Sequence, residues 1–469
     1  FLIYPTSRSG NRSHIPWYDW LLALASIAVV AYPLWDFEEF IYRAALPTQV
    51  DQIFGALTML LVLEATRRTT GWVLPVVAIG FLGYASFGAY LPPPWTHQGY
   101  QLDRLVGHMY VTLEGIFGVP LDVAATFIIL FTIYGAVLEF SKAGEFYVNF
   151  SLAATGGKPA AAGRTVTLAS FLLGGPSGSG VATTVTLGSV AWPLLAKAGY
   201  DKDSAGGLLS AGGIGAIISP PVLGAAAFLI AEFLKISYLE VLAMAAIPTL
   251  LYYWSIFAMV ELDARKFGAK PIAVEGDNCW SLTRKYGFHF LSLFAIVGFM
   301  MWGYTAILSV AYAIILGIIL SYIRRDTALT PGKIWRLFEK GTVDVLSVAS
   351  TCATAGIIVG VVTLTGLGLK FSLIILGLAG NNLFLTVLYT ALSLWLLGLA
   401  VPVTASYIIA AVITAPAMIK IGIPEYAAHM FIFYYAVLSE VSPPTALAPF
   451  AAAAITGGSP YKTTMMAWK

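Results

Sequence analysis

Pro193-Leu194-Leu195-Ala196-Lys197-Ala198-Gly199, followed after nineteen residues by Ser219-Pro220-Pro221, returns later in the chain. Its counterpart is Pro416-Ala417-Met418-Ile419-Lys420-Ile421-Gly422, followed after the same spacing by Ser442-Pro443-Pro444. The offset is 223 residues, Tyr238 falls on Tyr461 at that offset, and no gap is needed over about 60 positions. The matched residues are Pro, Lys and Gly rather than the common apolar types, so chance likeness between Ala-rich helices explains them poorly. Duplicated halves are a usual build of secondary transporters, with the site near the midplane of the membrane. Identity alone leaves open whether the halves run inverted or parallel.

Upstream of each block an apolar run is interrupted. The first interruption is Gly174-Gly175-Pro176-Ser177-Gly178-Ser179-Gly180, continuing into Val181-Ala182-Thr183-Thr184. The second is Gly398-Leu399-Ala400-Val401-Pro402-Val403-Thr404-Ala405-Ser406. Gly and Pro break helices and free main-chain groups, which persist inside a bilayer only where protein, water or a ligand satisfies them. A hairpin tip of this kind aims carbonyls and hydroxyls at one point, as hard cations require. The helix that follows offers N–H donors and a positive dipole to an anion. Packing of small residues between helices is the plainer alternative for either tip alone.

The Ser-Pro-Pro blocks follow the same logic. Pro220 and Pro221 each remove a helical hydrogen bond, which predicts open carbonyls around Ile217, Ile218 and Ser219, and likewise around Glu440, Val441 and Ser442. Gly212, Gly213 and Gly215 allow close approach just before the first break. Glu440 stands alone in an apolar run, and an intramembrane acid suggests cation ligation or proton coupling, with a structural hydrogen-bonded carboxyl as the alternative. Ile217 holds the equivalent place in the first half, so any role of Glu440 is asymmetric.

Composition agrees with a membrane protein. Of 469 residues, 58% are apolar and 11% charged, with a net charge of +2, which excludes a cytosolic enzyme, a basic nucleic-acid binder and a charge-rich disordered chain. Two cysteines, Cys279 and Cys352, cannot build a disulfide scaffold, and five scattered histidines do not suggest a metal site. No P-loop and no His-Glu-x-x-His helix occurs. Apolar runs of about 20 residues suit spans, and runs of 10–16 broken by Gly or Pro suit re-entrant or discontinuous helices. The polar break Glu261–Lys285 divides the core, giving three expected regions: 1–118 as a helical scaffold, 119–285 as a first repeat, and 286–469 as a second. His429 reads as a core histidine, Lys197 and Lys420 as snorkelling at an interface, Asn381-Asn382 as a turn and Arg67-Arg68 as a topology anchor. The start at Phe1, with no basic leader, suggests further chain at both ends.

These motifs resemble the membrane subunits of tripartite ATP-independent periplasmic (TRAP) transporters. The residues that carry the resemblance are Gly175–Thr184, Trp192-Pro193-Leu194-Leu195 with Gly199-Tyr200, Ile218–Phe228, Ala355–Gly366 and Phe431–Pro449. It is closest to the fused small-plus-large form of the TAXI subgroup, covering 119–469 strongly and 1–118 weakly as a small-subunit-like scaffold. The resemblance implies an all-α polytopic membrane protein with duplicated, inverted repeats and re-entrant hairpins, working as an elevator. It implies a Na⁺-coupled importer of small organic acids of the C4-dicarboxylate, 2-oxoglutarate or glutamate type. A TAXI-type periplasmic binding protein would deliver the substrate, the only cofactor would be Na⁺ as coupling ion, and the location would be the inner membrane of a bacterial or archaeal cell.

Carried over by position, the cation-binding residues would be Ser177, Gly178, Ser179, Gly180, Gly212, Gly213, Ser219 and Pro220 in the first half. In the second half they would be Val401, Pro402, Thr404, Ser406, Ser439, Glu440, Ser442 and Pro443. Substrate would lie between the tips near Ser179, Thr183, Thr184, Thr404 and Ser406. The absence of Arg and Lys from 176–196 and 399–419 leaves a carboxylate to helix dipoles, hydroxyls or a cation from elsewhere. Three rival readings stand beside this one: a stand-alone anion/Na⁺ symporter, an ABC-type permease, and an intramembrane serine protease using Gly175-Pro176-Ser177-Gly178 with His429 as base.

Overall fold

A computed structural model describes residues 1–6, 15–157, 160–271, 278–399, 401–443 and 446–469, the side chains at 175–177 and 267 standing outside that set. The side chain of Ser177, and Ala400 and Pro444, are therefore not among the described residues. Those described are helical, with no strand among them. The helices that position the candidate site are, in chain order, α1 (Trp17–Trp35), α2 (Gln49–Thr70), α3 (Ala161–Ser177), α4 (Gly180–Lys197), α5 (Lys202–Ile218), α6 (Tyr238–Phe267), α7 (Pro331–Thr365), α8 (Leu383–Gly398), α9 (Val403–Lys420), α10 (Glu425–Val437), α11 (Leu447–Thr456) and α12 (Pro460–Trp468). Among the described residues six helices are long and apolar enough to cross a membrane: Trp17–Trp35, Val73–Tyr90, Val119–Phe140, Tyr238–Lys266, Pro331–Thr365 and Val403–Lys420.

Contacts divide the chain into two compact units that are not sequential: Phe1–Ala125 with Leu346–Ile432, and Thr126–Val345 with Phe433–Lys469. In the first unit, α2 starts on a capping box in which Thr48 and Asp51 satisfy each other's backbone N–H groups. Its other end carries Arg68, which is buried and ion-paired with the equally buried Asp19 of α1 at 2.6 Å and with Glu64 at 2.7 Å. These charges explain why α2, 22 residues long, is not among the apolar spans. Phe40, Met59, Val106, Met109, Tyr110, Ile357 and Val361 form the apolar core of this unit. The Tyr110 hydroxyl donates to the Val29 carbonyl at 2.6 Å.

In the second unit α5 is the buried spine, enclosed from Ala205 to Ile218 except at Leu208 and Ala211. Its glycines let α3, α4, α11 and α12 approach closely, the device membrane helices use where lipid and side chains are equally apolar. Asp201 caps α5, accepting from the backbone N–H groups of Asp203 at 3.0 Å and Ser204 at 2.9 Å.

The structure shortens the expected break at 261–285. Helix α6 runs on to Phe267 and closes on Gly268 at φ +62°, with Arg265 and Lys266 complementing the dipole of its last turn. A further helix starts at Cys279, capped by the Asn278 side chain. Polar residues here extend helices beyond the apolar run rather than interrupting them.

Two outcomes follow from these contacts. Asp19→Ala leaves Arg68 with only part of its buried compensation, so it is expected to cost about 3 kcal/mol, read as a lowered unfolding midpoint in detergent. Burial would raise the Asp201 carboxyl, but N–H donation from Ser204 and Asp203 outweighs it and holds the group below its ordinary value. A depressed carboxyl contributes stability above its unfolded pKa and loses it as pH falls through the lower folded value. Asp201→Ala should therefore cost about 1 kcal/mol near neutrality and progressively less below about pH 4, in melts recorded across pH.

Candidate functional site

The first interruption forms a helical hairpin inside the second unit. Helix α3 ends at Ser177, Gly178 turns the chain at φ +56°, and Ser179 caps α4 by accepting from the Ala182 N–H at 3.4 Å. Gly180, the first residue of α4, lies directly against the Glu440 carboxylate, where a methyl group would overlap Oε2. One turn on, Thr184 is buried and its hydroxyl donates to the Gly180 carbonyl at 2.8 Å. A methyl on Gly213 would strike that same hydroxyl, and one on Gly212 would meet the Ser170 side chain at 2.8 Å. Gly212 and Gly213 thus seat α5 against both arms of the hairpin.

The Ser-Pro-Pro break lies beside the tip. A methyl on Gly224 would stand 3.3 Å from the Gly178 carbonyl and 2.5 Å from Ile217 Cγ2. The carbonyls expected to stand open already have donors within the protein. Ile217 accepts from the Gly224 N–H at 2.7 Å, and Ile218 accepts from the Thr249 hydroxyl. Ser219 is fully buried, 3.1 Å from the Tyr253 hydroxyl, while Pro220 is half-buried in the turn. In the matching break, Val441 accepts from the Trp468 indole N–H at 2.7 Å. Thr249, Tyr253 and Trp468 are thus part of this architecture, and only Trp468, an aromatic beside the Tyr461 match, stood near any sequence signal.

Buried side-chain atoms of this unit with no hydrogen-bond partner among the described residues include, near the hairpin and the second break, Thr183 Oγ1, Glu440 Oε2 and Ser442 Oγ. Ser439 is also buried and Pro443 half-buried. Glu440 is half-buried as a residue, but its Oε2 is shielded from solvent, and an ionised carboxylate oxygen so placed without a cation is costly. Glu440 therefore has two comfortable states, protonated or beside a bound cation. The N-terminus of α4, which Gly180 opens, adds a modest preference for negative charge.

The second interruption belongs to the first unit. Helix α8 ends at Gly398, Val401 is buried in the bend, and Pro402 precedes α9 in extended conformation with φ −60° and ψ 158°. The Ser406 N–H donates to the Pro402 carbonyl at 2.8 Å; Ser406 is buried and Thr404 half-buried. His429 is buried, with its Nδ1 2.8 Å from the Tyr407 hydroxyl, which accords with a satisfied core histidine. Helices α4 and α9 are both 18 residues long, with bounds 223 residues apart. Pro193 and Pro416 occupy the same place within them, Lys197 and Lys420 are exposed at their ends, and Gly199 and Gly422 follow at φ +95° and +96°.

The model of the DctM component of the tripartite ATP-independent periplasmic transporter matches residues 57–469. The chain belongs to this family. Among curated proteins it is similar to the 2,3-diketo-L-gulonate TRAP transporter large permease protein YiaN of Escherichia coli (strain K12), with 30% identity over 115 residues. That alignment covers 24% of this chain and 27% of the relative, so the chain spans about a quarter of the relative it matches. The match to the DctM family begins at residue 57, within the segment read from sequence as the scaffold of residues 1–118. Membership, with six apolar helices among the described residues, makes the chain a multi-pass membrane protein and a transporter component rather than an enzyme. The serine-protease reading is thereby overturned, and the histidine it would have used already engages Tyr407. The ATP-independent character of the family likewise removes the ABC-type reading.

Gly180→Ala tests the packing at the tip. The added methyl overlaps the Glu440 carboxylate, so the variant should insert and fold yet lose about 1–3 kcal/mol of thermal stability from overpacking. Pairing it with Glu440→Ala, which removes the colliding group, should restore most of that loss. Additive losses in the double variant would contradict the contact.

Proposed function

We propose that this DctM-family chain is a secondary active importer of small organic acids, coupled to a cation bound at the first hairpin tip. The observation that carries the reading is the buried, unpartnered Glu440 Oε2 against Gly180. Around it stand Ser179 and Gly178 of the tip, Gly212 and Gly213 behind it, Ser219 and Pro220 at the first break, and Ser439, Ser442 and Pro443 at the second. Val401, Pro402, Thr404 and Ser406 form the tip of the second hairpin, and Ser177 completes the set by sequence. Na⁺ suits the hydroxyls and carbonyls concentrated at these positions. A proton is the second reading, favoured by one observation: a lone carboxyl with no cationic partner is the group that takes up H⁺ most readily in an apolar setting.

Substrate recognition is assigned to Ser179, Thr183, Thr184, Thr404 and Ser406. Hydroxyls and helix N-termini there would bind a carboxylate without Arg or Lys. The name of the bacterial relative specifies an acidic sugar derivative, which supports a small organic anion as cargo. The equal lengths, prolines and left-handed glycines of α4 and α9 support a duplicated build, which we take as inverted, with two re-entrant hairpins. Such a build suits an elevator in which both hairpins travel with the substrate. The family name implies a periplasmic binding protein as partner and an inner-membrane location; the fused, TAXI-type organisation is the form the sequence motifs favour.

The deciding experiment is uptake of glutamate, 2-oxoglutarate and C4-dicarboxylates into proteoliposomes, with Na⁺ and pH gradients applied separately, and with and without the purified binding protein. Uptake requiring a cation gradient and the binding protein is expected. Gradient-driven uptake without that protein would establish the stand-alone symporter, and uptake indifferent to both gradients would sink the coupled reading. Glu440→Gln keeps the shape of the side chain and removes its charge, so gradient-driven uptake should fall about 100-fold, or about 2.7 kcal/mol. Counterflow exchange in the same vesicles should fall far less if the proton reading holds.

A further inference from the structure

A side cavity of about 300 Å³ opens in the second unit, between α5, α6 and the end of α12. This is the lower end of the range for small-molecule sites. Its lining sets apolar Leu208, Ile256, Met259 and Val260 beside the hydroxyl-bearing Tyr200, Ser204, Tyr252 and Ser255. At one end stand Asp263 and Lys469, ion-paired at 2.6 Å and each partly exposed. From Asp263 the lining descends α6 to Tyr252, a drop of about 16 Å at the rise of an α-helix.

Its surroundings indicate which medium the cavity meets. Along the same stretch α6 exposes Leu250, Leu251 and Trp254 at 67, 65 and 75%, the mark of a face turned to lipid in a spanning helix. The charges Glu261, Asp263, Arg265 and Lys266 cluster at the other end of α6, as they do where a span reaches the headgroups. A trench with apolar side chains along α6, entered beside lipid and closed at headgroup level by one acid and one base, is complementary to a single amphiphile. The tail lies along α6, and opposite charges at the head meet Asp263 and Lys469.

We propose that this cavity binds one bilayer phospholipid with a zwitterionic, primary-amine headgroup. The ammonium donates to the Asp263 carboxylate, the phosphate accepts from the Lys469 ammonium, and one acyl chain fills the trench over Met259. A primary ammonium fits Asp263 better than a quaternary one because it carries N–H donors. Occupancy also bears on the candidate site, since Trp468, in the cavity wall, holds the Val441 carbonyl between Glu440 and Ser442.

The test is native mass spectrometry of the full chain, released from vesicles of phosphatidylethanolamine, phosphatidylcholine and phosphatidylglycerol in equal parts. One phosphatidylethanolamine should remain per chain. Met259→Trp, which fills the trench, should lower its occupancy about tenfold, equivalent to about 1.4 kcal/mol. Asp263→Asn, a milder change, should keep a bound lipid but lose the preference for phosphatidylethanolamine over phosphatidylcholine. Retention unchanged by Met259→Trp, or a wild-type preference for phosphatidylglycerol, would overturn the assignment. Because the readout is bound lipid, it stands or falls separately from the transport reading.

Discussion

A hydrocarbon bilayer offers no hydrogen bonds, so each break in a helix within it must be repaired by the protein. That constraint explains most of what surrounds the first hairpin. The Ser-Pro-Pro break releases the carbonyls of Ile217 and Ile218; the Gly224 amide and the Thr249 hydroxyl take them up. The later break releases the Val441 carbonyl, and the Trp468 indole reaches back for it. With the backbone repaired, the side-chain atoms left without a partner near these breaks include Thr183 Oγ1, Glu440 Oε2 and Ser442 Oγ. A cation or a proton can satisfy groups of this kind reversibly.

Close approach is the second requirement, and glycine meets it. Gly180 admits the Glu440 carboxylate, and Gly213 admits the Thr184 hydroxyl. Any side chain at these positions would occupy the place of a functional group. The small residues of α5 serve helix packing and site construction together.

Much of this was legible beforehand, because helix breakers and duplicated spacing act locally. The helix breaks at 178–179 and 401–402 and the exposed ends at Lys197 and Lys420 follow from residue types at fixed offsets. The repair of the backbone was not legible. Thr249 sits in an apolar helix with nothing to distinguish it, and its role depends on a neighbour 31 residues away. The contact between Gly180 and Glu440 is of the same kind: each segment stood out in the sequence, but their meeting, 260 residues apart, exists only in three dimensions. Helix ends such as Phe267 were missed because capping at Gly268 outweighed the polar composition of the last turns.

The contact between Gly180 and Glu440 also orders events in time. The hairpin, α5 and α6 leave the ribosome as one continuous segment, whereas Glu440 follows Gly180 by 260 residues. At typical rates of synthesis that interval is roughly 15–50 s, long compared with helix formation. Until residue 440 is made, the tip has no carboxyl beside it, and the Val441 carbonyl then waits for Trp468. The contact between the tip and Glu440 is therefore made well after the hairpin itself, and a nascent chain that stalls before residue 440 would carry a folded hairpin without it.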